Sequence, residues 1–202
     1  ESHSDRGEDR VAVIADGDRT VIVVADGAGG TGSGDVAADT VVREIRSVCS
    51  RIETADQWAH EFRQLDFRIP AGESTVVVVD LRPDRIIGAS IGDSAAWIID
   101  EGNVFDLTRN QVRKPLLGSQ QARPVAFTHQ PLSGTLLLGT DGFFNYAQRD
   151  AVPPVVSRSD FFSIPRKCLE MVRLPSGELW DDVAIVACRV RRALRSRKRY
   201  SL

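Results

Sequence analysis

Eight short runs of β-branched and apolar residues dominate this chain, and most stop at Gly, Asp or Pro: Val11–Ala15, Thr20–Ala25, Ser74–Asp80, Arg85–Ser90, Ala95–Asp100, Val104–Leu107, Thr135–Thr140 and Val183–Val190. Runs of this kind read as strands. Glu101-Gly102-Asn103 between two of them predicts a tight hairpin, as does Asp16-Gly17-Asp18-Arg19. Helical spacing of apolar residues falls in two blocks. One runs from Ser33 or Gly34 to about Cys49, through Val36, Ala37, Val41, Ile45 and Val48; the other runs from Thr54 to about Phe67, through Ala55, Trp58, Phe62 and Leu65. A weaker helix is expected over Ser163–Val172, with Pro165 in its first turn. The polar stretch Thr108–His129 is expected to be a loop. Helices set apart from runs of strands predict an α+β fold with antiparallel sheets, not a βαβ repeat. No internal repeat is visible.

The bulk properties exclude several classes. At 202 residues with 42% hydrophobic and 27% charged residues, the chain suits one soluble domain. A net charge of −2 gives no whole-chain attraction to nucleic acid. No apolar stretch approaches a membrane span, and the polar start Glu1–Arg10 does not read as a signal peptide. The three cysteines, Cys49, Cys168 and Cys188, are odd in number and widely spaced. They predict buried thiols in a reducing, cytoplasmic setting, not a disulfide framework. Residues 1–190 are expected to form the domain, and 191–202 a disordered basic tail, with contact to an acidic partner, a membrane surface or nucleic acid as the alternative.

Chemistry is expected where carboxylates meet Gly at strand ends. Asp26-Gly27 follows Val21–Ala25, Gly92-Asp93-Ser94 follows Ile86–Ile91, Asp141-Gly142 follows Leu136–Thr140, Asp181-Asp182 precedes Val183–Val190, and Glu8-Asp9 precedes Val11. Any one Asp-Gly pair is an ordinary turn. Together, at one rim of a sheet, the acids would repel each other and call for a hard cation. All-oxygen ligands suit Mg²⁺ or Mn²⁺. With only His3, His60 and His129, and no cysteine pair at zinc spacing, a zinc site is not expected.

Five motifs in order carry a resemblance. Gly7-Glu8-Asp9-Arg10, Val24-Ala25-Asp26-Gly27-Ala28-Gly29-Gly30, Ile91-Gly92-Asp93-Ser94, Leu138-Gly139-Thr140-Asp141-Gly142 and Asp181-Asp182-Val183-Ala184-Ile185-Val186 resemble the PPM (type 2C) protein serine/threonine phosphatases, in a short bacterial-like form. The resemblance covers Glu8 to about Val190. It implies a four-layer α-β-β-α sandwich, two antiparallel sheets flanked by helices, with two Mn²⁺ or Mg²⁺ ions at one sheet edge. It implies a monomer that hydrolyses phosphoserine and phosphothreonine in proteins of a kinase-linked pathway, by attack of a metal-activated water. Carried over by position, Asp26 bridges both metals, Glu8 and the Gly27 carbonyl serve one, and Asp141 and Asp181 serve the other. Asp9 holds a water of the centre, and Asp93 resembles the residue that helps bind a third metal in bacterial members. Asp9, Asp26, Asp141 and Asp181 are thus the expected catalytic set, with a supporting role for Asp182. Trp180, next to Asp181, is expected to shield the metal edge.

The pattern departs from the family at three places. Ser4 stands where an arginine usually grips phosphate, and Arg6 or Arg10 is the expected substitute, with Arg6 taken as the candidate. Ala28 replaces a histidine that serves some members as candidate acid. The flap between the third and fourth motifs is short, at most Thr108–His129.

Two other motifs point elsewhere. Gly27-Ala28-Gly29-Gly30-Thr31-Gly32 matches the dinucleotide fingerprint, but no second strand follows its helix. Gly88-Ala89-Ser90-Ile91-Gly92 matches the nucleophile elbow, but a strand follows where a helix is needed. The alternative function of another class is a phosphatase-like regulatory domain that senses phosphate without turnover; a phosphatase for small phosphoesters is a third. The complete acidic set favours turnover.

Overall fold

The computed structural model describes residues 1–2, 7–28, 30 and 32–190. The basic tail expected at 191–202 and the expected phosphate-binding Arg6 lie outside the described residues.

Strands form nearly where β-branched runs stand. They are β1 (Asp9–Asp16), β2 (Arg19–Asp26), β3 (Val76–Leu81), β4 (Ile86–Ile91), β5 (Ala95–Asp100), β6 (Asn103–Asp106), β7 (Val125–His129), β8 (Thr135–Gly139) and β9 (Ile185–Arg189). The helices are α1 (Gly34–Val48), α2 (Ala55–Asp66), α3 (Asp141–Phe144), α4 (Val152–Arg158) and α5 (Ile164–Val172). α2 starts on a capping box, in which the Thr54 side chain accepts from the Gln57 N–H and the Gln57 side chain accepts from the Thr54 N–H.

Two all-antiparallel sheets result, ordered β1-β2-β3-β4-β7 and β6-β5-β8-β9. Strand alternation divides the core into three layers. Val21, Val23 and Ala25 of β2 and Val76 and Val78 of β3 face the first helix layer, where they meet Val41, Ile45, Trp58, Phe62 and Leu65. Their neighbours Ile22, Val24, Val77 and Val79 face inward and meet Ala96, Ile98, Leu136 and Leu138 of the second sheet. The outer face of that sheet, with Trp97, Ile99 and Leu137, is covered by α3, α4 and α5 through Phe143, Phe144, Val156 and Cys168. The expected α-β-β-α sandwich is therefore the fold.

Two local readings are corrected. Val125–His129 is not loop but the edge strand β7, paired with β4 from Ile86↔His129 to Ser90↔Val125. It lies only half-buried at the sheet edge, so its sequence lacks the apolar run of an inner strand. The two short helices α3 and α4 also escaped the pattern. Each has too few turns to show a helical period, and α4 carries Pro153 and Pro154 where its missing N–H groups cost nothing. Trp180, next to Asp181, is exposed and stacked on Tyr146, with ring centroids 6.2 Å apart.

A charged cluster holds the far end of the first sheet. Asp80 is fully buried and accepts from Arg19 Nε at 2.9 Å and Nη2 at 2.7 Å, from Trp58 Nε1 at 3.2 Å and from Arg82 Nη2 at 3.2 Å. The same two arginines reach the Ile52 carbonyl, at 3.0 and 2.6 Å, and so tie the start of α2 to the sheet. Removing one side of a buried charge cluster leaves the other uncompensated. Asp80→Ala should therefore cost about 3–5 kcal/mol of stability. Urea unfolding reads this directly, and a loss below about 1 kcal/mol would mean that the cluster is spectator to the fold.

Candidate metal centre

The opposite rim gathers the acids. Asp9 opens β1 directly across from Asp26, the last residue of β2, in the strand register. Asp93 sits in the turn by which the chain leaves the first sheet after β4 and enters the second at β5. Asp141 follows β8 as the first residue of α3, and Asp181 and Asp182 lie shortly before β9. Glu8, Asp26, Gly27, Asp93, Asp141 and Asp181 line one cleft of about 360 Å³. Every residue expected as a metal ligand is thus brought to one place, from both sheets. Asp9 does not line this cleft and is bonded through Oδ2 to Thr140 Oγ1 at 2.7 Å.

Close backbone approach builds this rim. A Cβ on Gly27 would stand 2.2 Å from the Gly34 carbonyl oxygen, so the loop after β2 and the start of α1 meet main chain to main chain, beside Glu8. Gly142 presses likewise on the Asp182 carbonyl, where a Cβ would stand 2.0 Å away. The Glu8 N–H donates to Asp182 Oδ2 at 2.5 Å, and Ser2 Oγ donates to Oδ1 at 3.0 Å. Asp182 therefore fixes the backbone that carries Glu8, in keeping with its expected supporting part. The Thr140 hydroxyl accepts from the Ala184 N–H at 3.0 Å while donating to Asp9. Thr75 Oγ1 accepts from the Asp26 N–H at 3.3 Å and bonds Ser94 Oγ at 2.7 Å. The sequence reading missed Thr140 and Thr75, since a threonine inside or beside a strand reads as an ordinary strand residue.

The electrostatics are those of anions forced together. Burial, then the charges of Asp9 and Asp141, push the Asp26 carboxyl up to about 9, and it shares a hydrogen bond with Asp141. Burial, followed by the charges of Asp182, Asp141 and Asp181, raises Asp9 to about 7, against the bond from Thr140. Asp141 is raised by burial and by Asp93 and Asp181, and Glu8 by burial and by Asp182, Asp35 and Asp181. Asp9 Oδ1 is buried with no hydrogen-bond partner among the described residues. Such a pocket holds protons in place of cations, and a hard divalent ion satisfies it better. The donor set, all oxygen, fits Mg²⁺ or Mn²⁺. The carboxylates are gathered but not yet closed, since among the described residues no three His, Cys, Asp or Glu side chains already form a cage for one ion.

The competing motifs fail on geometry. The helix after Gly27–Gly32 leads to α2, not to a parallel strand. Ser90 is a buried residue inside β4, and His129 pairs at the other end of that strand. The three cysteines are free, and burial raises the Cys168 thiol to about 11 and Cys188 above its usual range.

No protein-family model and no curated protein matches this chain. Solved structures do. A bacterial serine phosphatase, in a point-mutant form, superposes with a TM-score of 0.81 at 19% identity, covering 94% of each chain. The serine/threonine phosphatase Stp1 of Staphylococcus aureus matches with a TM-score of 0.78 at 17% identity, covering 94% of this chain and 91% of its own. The Mycobacterium tuberculosis serine/threonine phosphatase PstP/Ppp matches with a TM-score of 0.73 at 15% identity, covering 91% and 92%. The chain therefore has the fold of the bacterial serine/threonine phosphatases over nearly its full length.

Proposed function

We propose that residues 1–190 form a metal-dependent protein phosphatase that hydrolyses phosphoserine and phosphothreonine with water. The observation that carries this reading is the cleft in which five carboxylates from both sheets converge, with Asp26 hydrogen-bonded to Asp141. The likeness to serine/threonine phosphatase folds supports the same reaction class.

In this reading Asp26 and Asp141 face each other across the gap between the sheets, with Glu8 and the Gly27 carbonyl on one side and Asp181 and Asp93 on the other. Two Mg²⁺ or Mn²⁺ ions held there supply Lewis acidity, which acidifies water and offsets the charge of the phosphoryl oxygens. Asp26 gives up its proton as the cations enter. Asp9 keeps one oxygen on Thr140 and leaves Oδ1 to accept from the attacking water. Attack in line forms one P–O bond and breaks the ester P–O bond. The departing alkoxide takes its proton from solvent, since Ala28 offers no acid. The substrate is a phosphoprotein of a kinase-linked pathway, met in the cytoplasm by a monomer. Among the described residues no helix is long and apolar enough to cross a membrane.

Turnover of a phosphothreonine peptide should appear on adding Mn²⁺ or Mg²⁺ and fall to background in excess chelator. Full activity in chelator would refute the mechanism. Binding of both metal and phosphopeptide with no release of phosphate would favour the sensing alternative.

A further inference from the structure

The carboxylate cleft also has a basic wall. Arg113 and Lys114 line it alongside the acids. They belong to the connection between β6 and β7, and the structure anchors that connection on both sides of them. The Gly92 N–H donates to the Val112 carbonyl at 2.9 Å, in the turn that carries Asp93, and Gln111 Nε2 donates to the Ser94 carbonyl at 2.9 Å. Just beyond, Leu117 and Ser74 exchange two backbone hydrogen bonds of 2.9 and 3.1 Å, with Leu116 and Leu117 buried. While both anchors hold, Arg113 and Lys114 stay at the mouth of the cleft.

Arg113 is not committed to a partner there. Its nearest approach to Asp93 is 3.9 Å, with the arginine side chain 70% exposed and the aspartate 32%. That is too long for a hydrogen bond, and a pair so exposed holds weakly. The guanidinium fork is free to close on the oxygens of a phosphate, the geometry it fits best. Charge requires such a group. Five carboxylates line the cleft, so two divalent cations still leave it negative by one charge, and a phosphomonoester dianion would be repelled. Arg113 and Lys114 offset that charge.

We propose that Arg113 and Lys114 are the residues that grip the substrate phosphate. They take the part expected of an amino-terminal arginine, for which this chain has Ser4. This assignment rests on the metal-centre reading above. Arg113 supplies a bidentate contact to the phosphoryl oxygens and Lys114 a second positive charge at the same wall.

The test uses the full chain and three measurements. Calorimetric titration of inorganic phosphate into Mg²⁺-loaded protein reads phosphate affinity. Electron paramagnetic resonance of free Mn²⁺ reads metal affinity without phosphate. Steady-state kinetics on a phosphothreonine peptide separates KM from kcat. Arg113→Ala and Lys114→Ala should each weaken phosphate about tenfold, and the pair about a hundredfold, with KM rising in step, as charged hydrogen bonds of this kind contribute. Arg113→Lys should recover part of the loss. Mn²⁺ affinity should hold or tighten, because a cation has left the neighbourhood of Asp93. Unchanged phosphate affinity in the double variant overturns the assignment. A parallel loss of Mn²⁺ affinity overturns it too, since the residues would then serve the acidic cluster. Phosphate binding that depends on both residues, in a protein that hydrolyses no ester, would remove the hydrolase reading and leave this assignment standing.

Discussion

Asp141→Asn should lower turnover about a thousandfold, equivalent to about 4 kcal/mol in the barrier, while the protein stays folded. Asp141 stands where β8 ends and α3 begins, with its carboxylate against Asp26 and under the influence of Asp93 and Asp181. An amide keeps the shape and loses the charge that would hold a cation. The fold should not suffer, because the change removes a repelled anion from a crowded site and leaves the buried layers untouched. Circular dichroism and thermal unfolding check the fold; phosphopeptide kinetics at saturating Mn²⁺ check the rate. A well-folded variant within tenfold of wild type would refute Asp141 as a ligand. Asp26→Asn should behave alike.

The metal-free protein should lose stability as pH rises from 5 to about 8.5. Asp26 and Asp9 titrate near 9 and 7 when folded, well above the unfolded carboxyl value of about 3.9. Between those limits the folded state holds protons that the unfolded state has released, so stability is fully present at low pH and drains away as pH climbs. In chelator, Tm should drop by at least about 5 °C over this span, since even roughly 1–2 kcal/mol gives that shift in a domain of this size. Asp26→Asn should flatten the slope. Mg²⁺ or Mn²⁺ should reverse it, since cation binding favours the deprotonated carboxylates. A Tm that climbs with pH in chelator would show that the acids are not forced together as described.

Much of this was legible in the chain because the sandwich repeats a simple rule. Inner strands such as Val76–Val79 are covered on both faces and so read as unbroken apolar runs, and α1 and α2 are long enough to show their period. β7 was not legible, since an edge strand covered on one side mixes Phe127 with Thr128 and His129 and resembles a loop. At the site, the Asp-Gly steps marked strand ends, and their convergence followed from placing those ends on one rim. Arg113 and Lys114 could not be foreseen. Their position depends on backbone bonds at Val112 and Leu117 that link them to segments about 20 and 40 residues earlier. No local pattern encodes such a bond. Thr140 was hidden for a similar reason, as its hydroxyl serves Asp9 from just past β8, 131 positions away.

Asp26 ends a strand of one sheet and Asp141 follows a strand of the other, with a single filling of aliphatic side chains between the two β layers. That filling acts as a spacer, like the shim in a caliper. Its thickness sets the opening between the jaws, and in the proposed metal centre it would thereby set the ionic radius that fits best. In the proposed metal centre, preference between ions of similar charge would then depend on Val24, Val77 and Leu138, which lie in the filling and not in the cleft.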